Sequence, residues 1–535
     1  MPGTRKSDEY KNVKSVHTFI WPFVIRGADK KDAVKKFINS LSHSKWESVD
    51  EHWKMADPDT FMLDNYLTRS ARLIFGLPSN QLENQKEDKK NSPCKKKSRI
   101  CAIFNYNLPE KCSYVIESGN ASNRLSVSLP IHEISLHIYN HGIGILFVNA
   151  LYKGNDEEDG KFIEIVKKIN DFGRRIYLPF IPDSPDGFIL CADRLGIRVD
   201  TDDKYVRNFR KEIEEENPEN LAKPAAFLYA LIDGEIGNNG KCLSEDKKSS
   251  FDIIPITDDR MFLMCLIKNK KLSDLIKDRY DRDSIHNELA QEIPEFEELN
   301  LEQLLYSIIY VDEGTPTCEN EKLMDQLIEK SVYPRWSRLG TIYAVTNYSM
   351  LCITGVDNDN LFASVIRPYL IEYSYILSLV IAQRYGIKEF ATKAGDKVNG
   401  VGKPGPINIK KTRELTTLQE EYVEFQNEIL ILEPSSQDQG IEIYNKIQDQ
   451  LLIKGEQDLL DSQLDNLYEI TNVNLGNRLQ EIGFAIAIIA ISADLSINAL
   501  FSGDGMPYCC RLWLFLGGIV VTLIVIVVEL IRSKK

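Results

Sequence analysis

Four things are scarce or missing in this 535-residue sequence, and each removes a class of function. Positive charge is in deficit: 65 lysines and arginines stand against 79 acids, a formal net charge of −14. Binding to nucleic acid needs a basic surface that displaces counterions from phosphates, so no direct nucleic-acid partner is expected. No CxxC pair occurs, and the ten cysteines lie at irregular spacings that fit neither a disulfide framework nor paired zinc ligands, so reduced thiols are expected. No apolar run opens the chain: its first residues are polar, and the large N-terminal part is expected to stay on the cytoplasmic side. Nor does the sequence set a nucleophile beside a base, or a carboxylate pair for acid–base work, so no enzymatic activity is expected.

What is present is long and mixed. With 535 residues the chain exceeds what one hydrophobic core usually serves, and at least two folding units are expected. Residues 14–352 alternate short β-rich runs with helical patterns, the texture of an α/β or α+β sheet domain. Strands are expected at 16–25, 99–106, 112–117, 125–129, 134–139, 143–151, 188–191, 251–256, 261–268 and 342–353. Helices are expected at 32–41, 60–75, 161–170 and 301–310. Asn140 and Gly142 suit the positive φ of a hairpin turn. The charged stretches 80–99 and 237–250 read as surface insertions. Residues 369–382 are apolar but too few for a membrane, and they carry Glu372 between Arg367 and Arg384, which reads as a buried helix. A Gly/Pro linker is placed at 394–406; its glycines lack the Gly-Lys-Ser/Thr ending of a phosphate loop.

Beyond the linker the period becomes helical. Leu415, Leu418, Tyr422, Phe425 and Ile429 share one face, and Tyr444, Ile447, Leu451, Leu460, Leu464, Leu467, Leu475, Leu479 and Ile482 mark a second, longer helix. Unbroken from 436 to 501, it would run about 100 Å at ~1.5 Å per residue. From 512 to 528 every residue but Thr522 is apolar, and continuing to 531 gives the ~20 residues of a membrane helix. Arg532, Lys534 and Lys535 follow and place the C-terminus inside. An even number of crossings then assigns another span to 482–501. Ala487, Ile491, Asp494, Asn498 and Phe501 fall roughly on one side of it, a stripe suited to lining a pore. The plainer reading hydrates Asp494 at the outer interface. Two helices cannot enclose a channel, so the pore reading requires a homo-oligomer.

The expected order is a cytoplasmic α/β sensor domain at 1–393, the linker, a helical stalk at 407–481, spans at 482–501 and 512–531 around an outer loop at 502–511, and a basic tail at 532–535. That order resembles the CorA family of divalent-cation transporters. The family carries Gly-Met-Asn at the start of its outer loop. Here Gly505 and Met506 match, Pro507 replaces the amide, and Asp504, Asn498 or Asp494 can supply substitute oxygens. The stretches FIWPF at 19–23, INDFGRRIY at 169–177, DDRMFLM at 258–264 and QDQGIEIY at 437–444 resemble the CorA-type membrane effectors associated with type III CRISPR systems. The resemblance implies a homopentamer in the cytoplasmic membrane, both termini inside, that passes Mg2+ or another divalent cation. It also implies gating by a nucleotide messenger on the soluble domain, a cyclic oligoadenylate or an S-adenosylmethionine–AMP conjugate. The rival readings are a constitutive magnesium importer and a membrane-anchored nucleotide-binding protein or enzyme without a pore. No resident cofactor is expected.

Several soluble residues are candidates for the ligand. Arg174 and Arg175 follow Gly173, where two guanidinium groups can clamp a phosphate or simply pair with surface acids. Asp258, Asp259 and Arg260 open a strand and can meet ribose hydroxyls, or form the charged rim of a turn. Trp336, with Tyr343 and Tyr348, offers a ring to adenine or belongs to the core. His132, His137 and His141 lack metal-ligand spacing. Cys509 and Cys510, on the outer loop, are either linked between chains or merely interfacial.

Overall fold

Strand β1 (Ser15–Arg26) is buried on both faces, with Phe19, Trp21 and Phe23 on one side and Val16, Ile20 and Val24 on the other. A strand of that kind needs cover on two sides. In the computed structural model it lies inside a 13-stranded mixed sheet. The other strands are β2 (Trp46–Ser48), β3 (Cys101–Tyr106), β4 (Cys112–Ser118), β5 (Leu125–Tyr139), β6 (Ile143–Tyr152), β7 (Arg194–Val199), β8 (Asp202–Asn208), β9 (Asp252–Pro255), β10 (Phe262–Lys268), β11 (Val332–Tyr333), β12 (Ile342–Val345) and β13 (Ser349–Thr354). The main path runs β11-β12-β13-β10-β1-β6-β5-β4-β7-β8; β10 and β13 pair in parallel and the other ladders are antiparallel. The structure describes residues 10–501 and 510–524, apart from 28–29, 50–61, 78–99, 119–124, 155–160, 178–191, 215–222, 237–250, 257–259, 282–298, 356–361, 399–408 and a few single positions.

The helices are α1 (Lys30–Leu41), α2 (Arg69–Phe75), α3 (Phe162–Gly173), α4 (Phe209–Glu214), α5 (Ala226–Ile232), α6 (Lys270–Tyr280), α7 (Leu301–Ile309), α8 (Glu321–Ser331), α9 (Arg367–Leu370), α10 (Glu372–Val398), α11 (Ile409–Ile429), α12 (Asp438–Gln450) and α13 (Ile453–Phe501). One sheet face is covered by α1 and α5, whose Phe37 and Tyr229 meet Phe23 and Trp21 edge-on at 6.2 and 5.7 Å. On the opposite face α9 and α10 close the core. The Tyr369 hydroxyl lies 2.7 Å from the Met350 carbonyl and 3.0 Å from that of Cys265, and Ser378 sits between His137 and Tyr139 at 2.8 and 2.9 Å. The turn after β5 carries Gly142 at φ 85, as the Asn140 to Gly142 pattern predicts.

Two units emerge. The first comprises Met1–Gly386 and Asn427–Lys454, and holds the sheet. The second comprises Ile387–Gln426 and Gly455–Lys535 and is helical. Within the second, Phe390 packs on Tyr422 and Phe425, each at 5.3 Å, and the Tyr422 hydroxyl donates to Asp461 at 2.7 Å. Leu415, Leu418, Tyr422 and Phe425 are buried, as are Leu460, Leu464 and Leu467, so the apolar faces read from the sequence face protein there. The long helix expected from 436 is broken: α12 ends at Gln450, Leu452 takes a left-handed φ of 56, and α13 begins at Ile453.

The structure corrects the expected fold class, an α/β domain with a stalk and two C-terminal transmembrane helices in the CorA arrangement. Its bulk is the 13-stranded sheet with helices on both faces. Among the described residues one helix is long and apolar enough to cross a membrane, Ser364–Asp396, and 83% of its apolar window is buried inside the protein. Covering the sheet accounts for that apolarity. Residues 482–501 form the C-terminal end of the 49-residue α13. Of the expected span at 512–531, residues 514, 522 and 525–531 lie outside the described residues.

Candidate functional site

Helix α3 is amphipathic and lies on the sheet with Phe162, Ile163, Val166 and Ile169 buried, which carries its C-terminal residues to one end of the strands. There the Arg175 guanidinium donates to both oxygens of Asp171, Nη2 to each at 3.0 Å. This i,i+4 pair caps the helix end with positive charge, where the macrodipole favours it. Arg174 is only 1% exposed. Its guanidinium lies 5.6 Å from the ring centre of Tyr348 and its Nη2 3.7 Å from Asp171 Oδ1. A buried guanidinium over a ring is a different arrangement from a pair of surface ion pairs.

Long-range pairing completes this end. Arg175 and Arg260 form an isolated antiparallel bridge, and the Met261 N–H donates to the Arg174 carbonyl at 2.8 Å. The Leu263 N–H donates to the Tyr348 carbonyl at 2.8 Å, which ties the β12–β13 hairpin tip to the same place. Tyr348 is 49% exposed. Arg384 of α10 reaches the tip too, its Nη1 donating to the Asn347 carbonyl at 3.1 Å. The structure therefore gathers Arg174, Arg175, Arg260 and Tyr348. Asp258 and Asp259 lie outside the described residues. Trp336 is not brought in: it precedes β12, beside Arg335 at 6.0 Å, while Tyr348 lies at the far end of that strand. Tyr343 is 1% exposed and belongs to the core. Asp171 and Arg384 were not singled out from sequence, although the four-residue step from Asp171 to Arg175 was there to be read.

A second constellation is buried. The Ser15 hydroxyl lies 2.8 Å from His17 Nε2, and His17 Nδ1 lies 2.7 Å from Asn170 Oδ1, with Cys265 Sγ at 3.7 Å. Since an amide oxygen only accepts, Nδ1 carries the proton and Nε2 accepts from Ser15. Burial lowers His17 to about 4 and raises the Cys265 thiol to about 12, so the imidazole is neutral and the sulfur stays a thiol. Ser15 and His17 are both 0% exposed, and a substrate reaches neither unless the core opens. The remaining histidines go separate ways: His137 bonds Ser378, His141 Nε2 lies 2.9 Å from Glu428, and His132 packs on Tyr10. Among the described residues no group of three His, Cys, Asp or Glu is placed to hold a metal ion.

The second unit carries the residues expected from sequence to line a pore. Ala487, Ile491 and Asp494 are exposed on α13, separated by four and three residues and so on one face. Asn498 and Phe501 lie further along the same helix, while Asp504, Gly505, Met506 and Cys509 fall outside the described residues. The apolar surface does not stop at that face. Phe484, Ile486, Ile488 and Ile491 are all exposed, as are Leu512, Trp513, Leu516, Ile519, Val520, Val521, Leu523 and Ile524. A helix that is apolar all round is normally covered. Comparison of the chain with family models, with curated proteins and with solved structures gave no match in any of the three.

Proposed function

We propose that the chain is a homo-oligomeric membrane effector that passes cations in response to a nucleotide messenger, in the manner of the CorA-type effectors of antiviral CRISPR defence. The observation that carries this is the set of exposed apolar side chains Phe484, Ile486, Ile488 and Ile491, with exposed Asp494 on the same helix, together with Leu512, Trp513 and the other exposed apolar residues described up to Ile524. Lipid and neighbouring copies cover the apolar part, and carboxylates brought together from several copies attract cations. The proposal needs that surface to meet lipid and does not rest on a count of crossings. The messenger, a cyclic oligoadenylate or an S-adenosylmethionine–AMP conjugate, is assigned to the Arg174–Tyr348 end of the first unit: guanidinium groups suit its phosphates and the exposed part of Tyr348 suits adenine.

The test is cation flux from liposomes holding the full chain, with and without each messenger. Messenger-dependent flux that is lost in Asp494→Ala is expected. Flux that ignores both messengers would favour a constitutive magnesium importer in the same cytoplasmic membrane. Messenger binding without any flux would favour an anchored nucleotide-binding protein, and neither binding nor flux sinks the proposal.

A further inference from the structure

Glu372 opens α10 with no exposed surface, at a place where covering the sheet requires no carboxylate. Its Oε1 lies 2.7 Å from the Ser435 hydroxyl, and its Oε2 has no hydrogen-bond partner. The Ser435 Oγ also lies 3.0 Å from the Tyr66 carbonyl and accepts the Gln437 N–H at 3.1 Å, just ahead of α12. Gly440 closes over them: a Cβ there would collide with Ser435 Oγ and come within 2.8 Å of Glu372 Oε1. Only glycine allows α12 so near.

One hydroxyl proton thus faces two acceptors. When Glu372 is ionised, the charge-assisted bond wins and Ser435 donates to the carboxylate. The Tyr66 carbonyl then keeps only Ser436, whose N–H and hydroxyl lie at 2.7 and 3.1 Å. When Glu372 is neutral, its own O–H donates to Ser435 Oγ and the serine hydroxyl turns to Tyr66. We infer that Glu372, Ser435 and the Tyr66 carbonyl form a proton-operated latch, fastening the 434–437 crossover to residues 65–67 while the carboxyl is neutral and loosening it on ionisation.

Burial raises Glu372 to about 7, so both states are populated near neutrality. Beyond its own burial, the group acting on it is the Ser435 hydroxyl; its helix neighbour Tyr373 feels the Glu372 charge and also Tyr333, Cys352 and Arg335. Tyr333 and Arg335 both bond Glu442, the latter at 2.8 Å, so that cation is engaged elsewhere. The latch stands on the first unit alone and is independent of the proposed messenger.

Hydrogen exchange at Gln437 in the full chain, corrected for intrinsic rates and followed from about pH 5 to 9, reads the latch. Protection that falls in a step with its midpoint near 7 is expected, together with loss of the step in Glu372→Gln. Ser435→Ala removes the donor to the ionised form, so the midpoint of the infrared band of the protonated Glu372 carboxyl is expected to move up. That band also serves in the unaltered protein should a variant fail to fold. A flat profile in the unaltered protein, a step that survives Glu372→Gln, or a carboxyl band that does not titrate overturns the inference.

Discussion

Arg174 is the residue whose burial says most about function. A guanidinium held 5.6 Å from an aromatic ring centre, at 1% exposure, has lost most of its water, and a ligand phosphate would meet it only if the Tyr348 ring moves aside. Arg174→Ala is expected to weaken messenger binding about tenfold or more, roughly 1–3 kcal/mol, by titration calorimetry. Arg174→Lys should rescue little, since an ammonium neither stacks nor forks; unchanged affinity in both would remove the site. His17 makes a pH prediction. Its folded value, about 4, lies below the ordinary 6.5, so its neutral form stabilises the fold above 6.5 and that contribution is lost as pH falls toward 4. The loss is on the order of 3 kcal/mol, and melting curves of His17→Gln should show a shallower decline over that window. The histidine was visible in the sequence, but its partner Asn170 is 153 positions away. Arg174 was legible as a residue of interest and illegible as a buried one, because charge alone reads as surface. Its contact with Tyr348 depends on a hairpin docking that no local pattern announces.

At the scale of the element, alternation was a good guide wherever side chains meet a core. The run at 16–25 and the apolar face from Leu415 to Phe425 are both buried. Where the pattern was interrupted, the reading faltered. Strand β5 was expected as two strands, because Pro130 and His132 break the alternation; it is one 15-residue strand with an irregularity between Ile131 and Glu133. Strands β7 and β8 were missed since their arginines look like loop chemistry, yet Arg194 and Arg198 are paired with Glu117 and Asp203 across neighbouring strands. The break falls on Leu452, neither glycine nor proline, while Gly455 three residues on lies inside α13. Leu452 is 58% exposed and follows the end of α12 in a left-handed conformation that usually takes glycine. Leu452→Gly should therefore raise the melting temperature by a few degrees, about 1 kcal/mol, whereas a lowered value would mean the leucine side chain matters more than its backbone. Gly144 gives the opposite case: a Cβ there would strike the Phe23 ring, so Gly144→Ala should cost about 1–3 kcal/mol, read as a fall in melting temperature.

For the whole molecule, the distribution of apolar surface decides where it can exist. The first unit buries most of its large hydrophobics in a two-faced core, and the second leaves Phe484, Ile486, Ile491 and Trp513 between 61% and 76% exposed. The chain is expected to float with liposomes in a density gradient, and Ile486→Lys combined with Ile491→Lys should leave it in the soluble fraction with its messenger affinity intact. Equal flotation of that variant would argue against a lipid role for α13. The two units also share the chain in an alternating way, since the first is not complete until Lys454 and the second takes Ile387–Gln426 from the middle. During synthesis the sheet unit must therefore wait for its final segment. The apolar stretch at 484 follows 30 residues behind, roughly 2–6 s at ~5–20 residues per second. A ribosome making this protein thus completes the sheet-bearing unit only moments before the greasy stretch begins to appear.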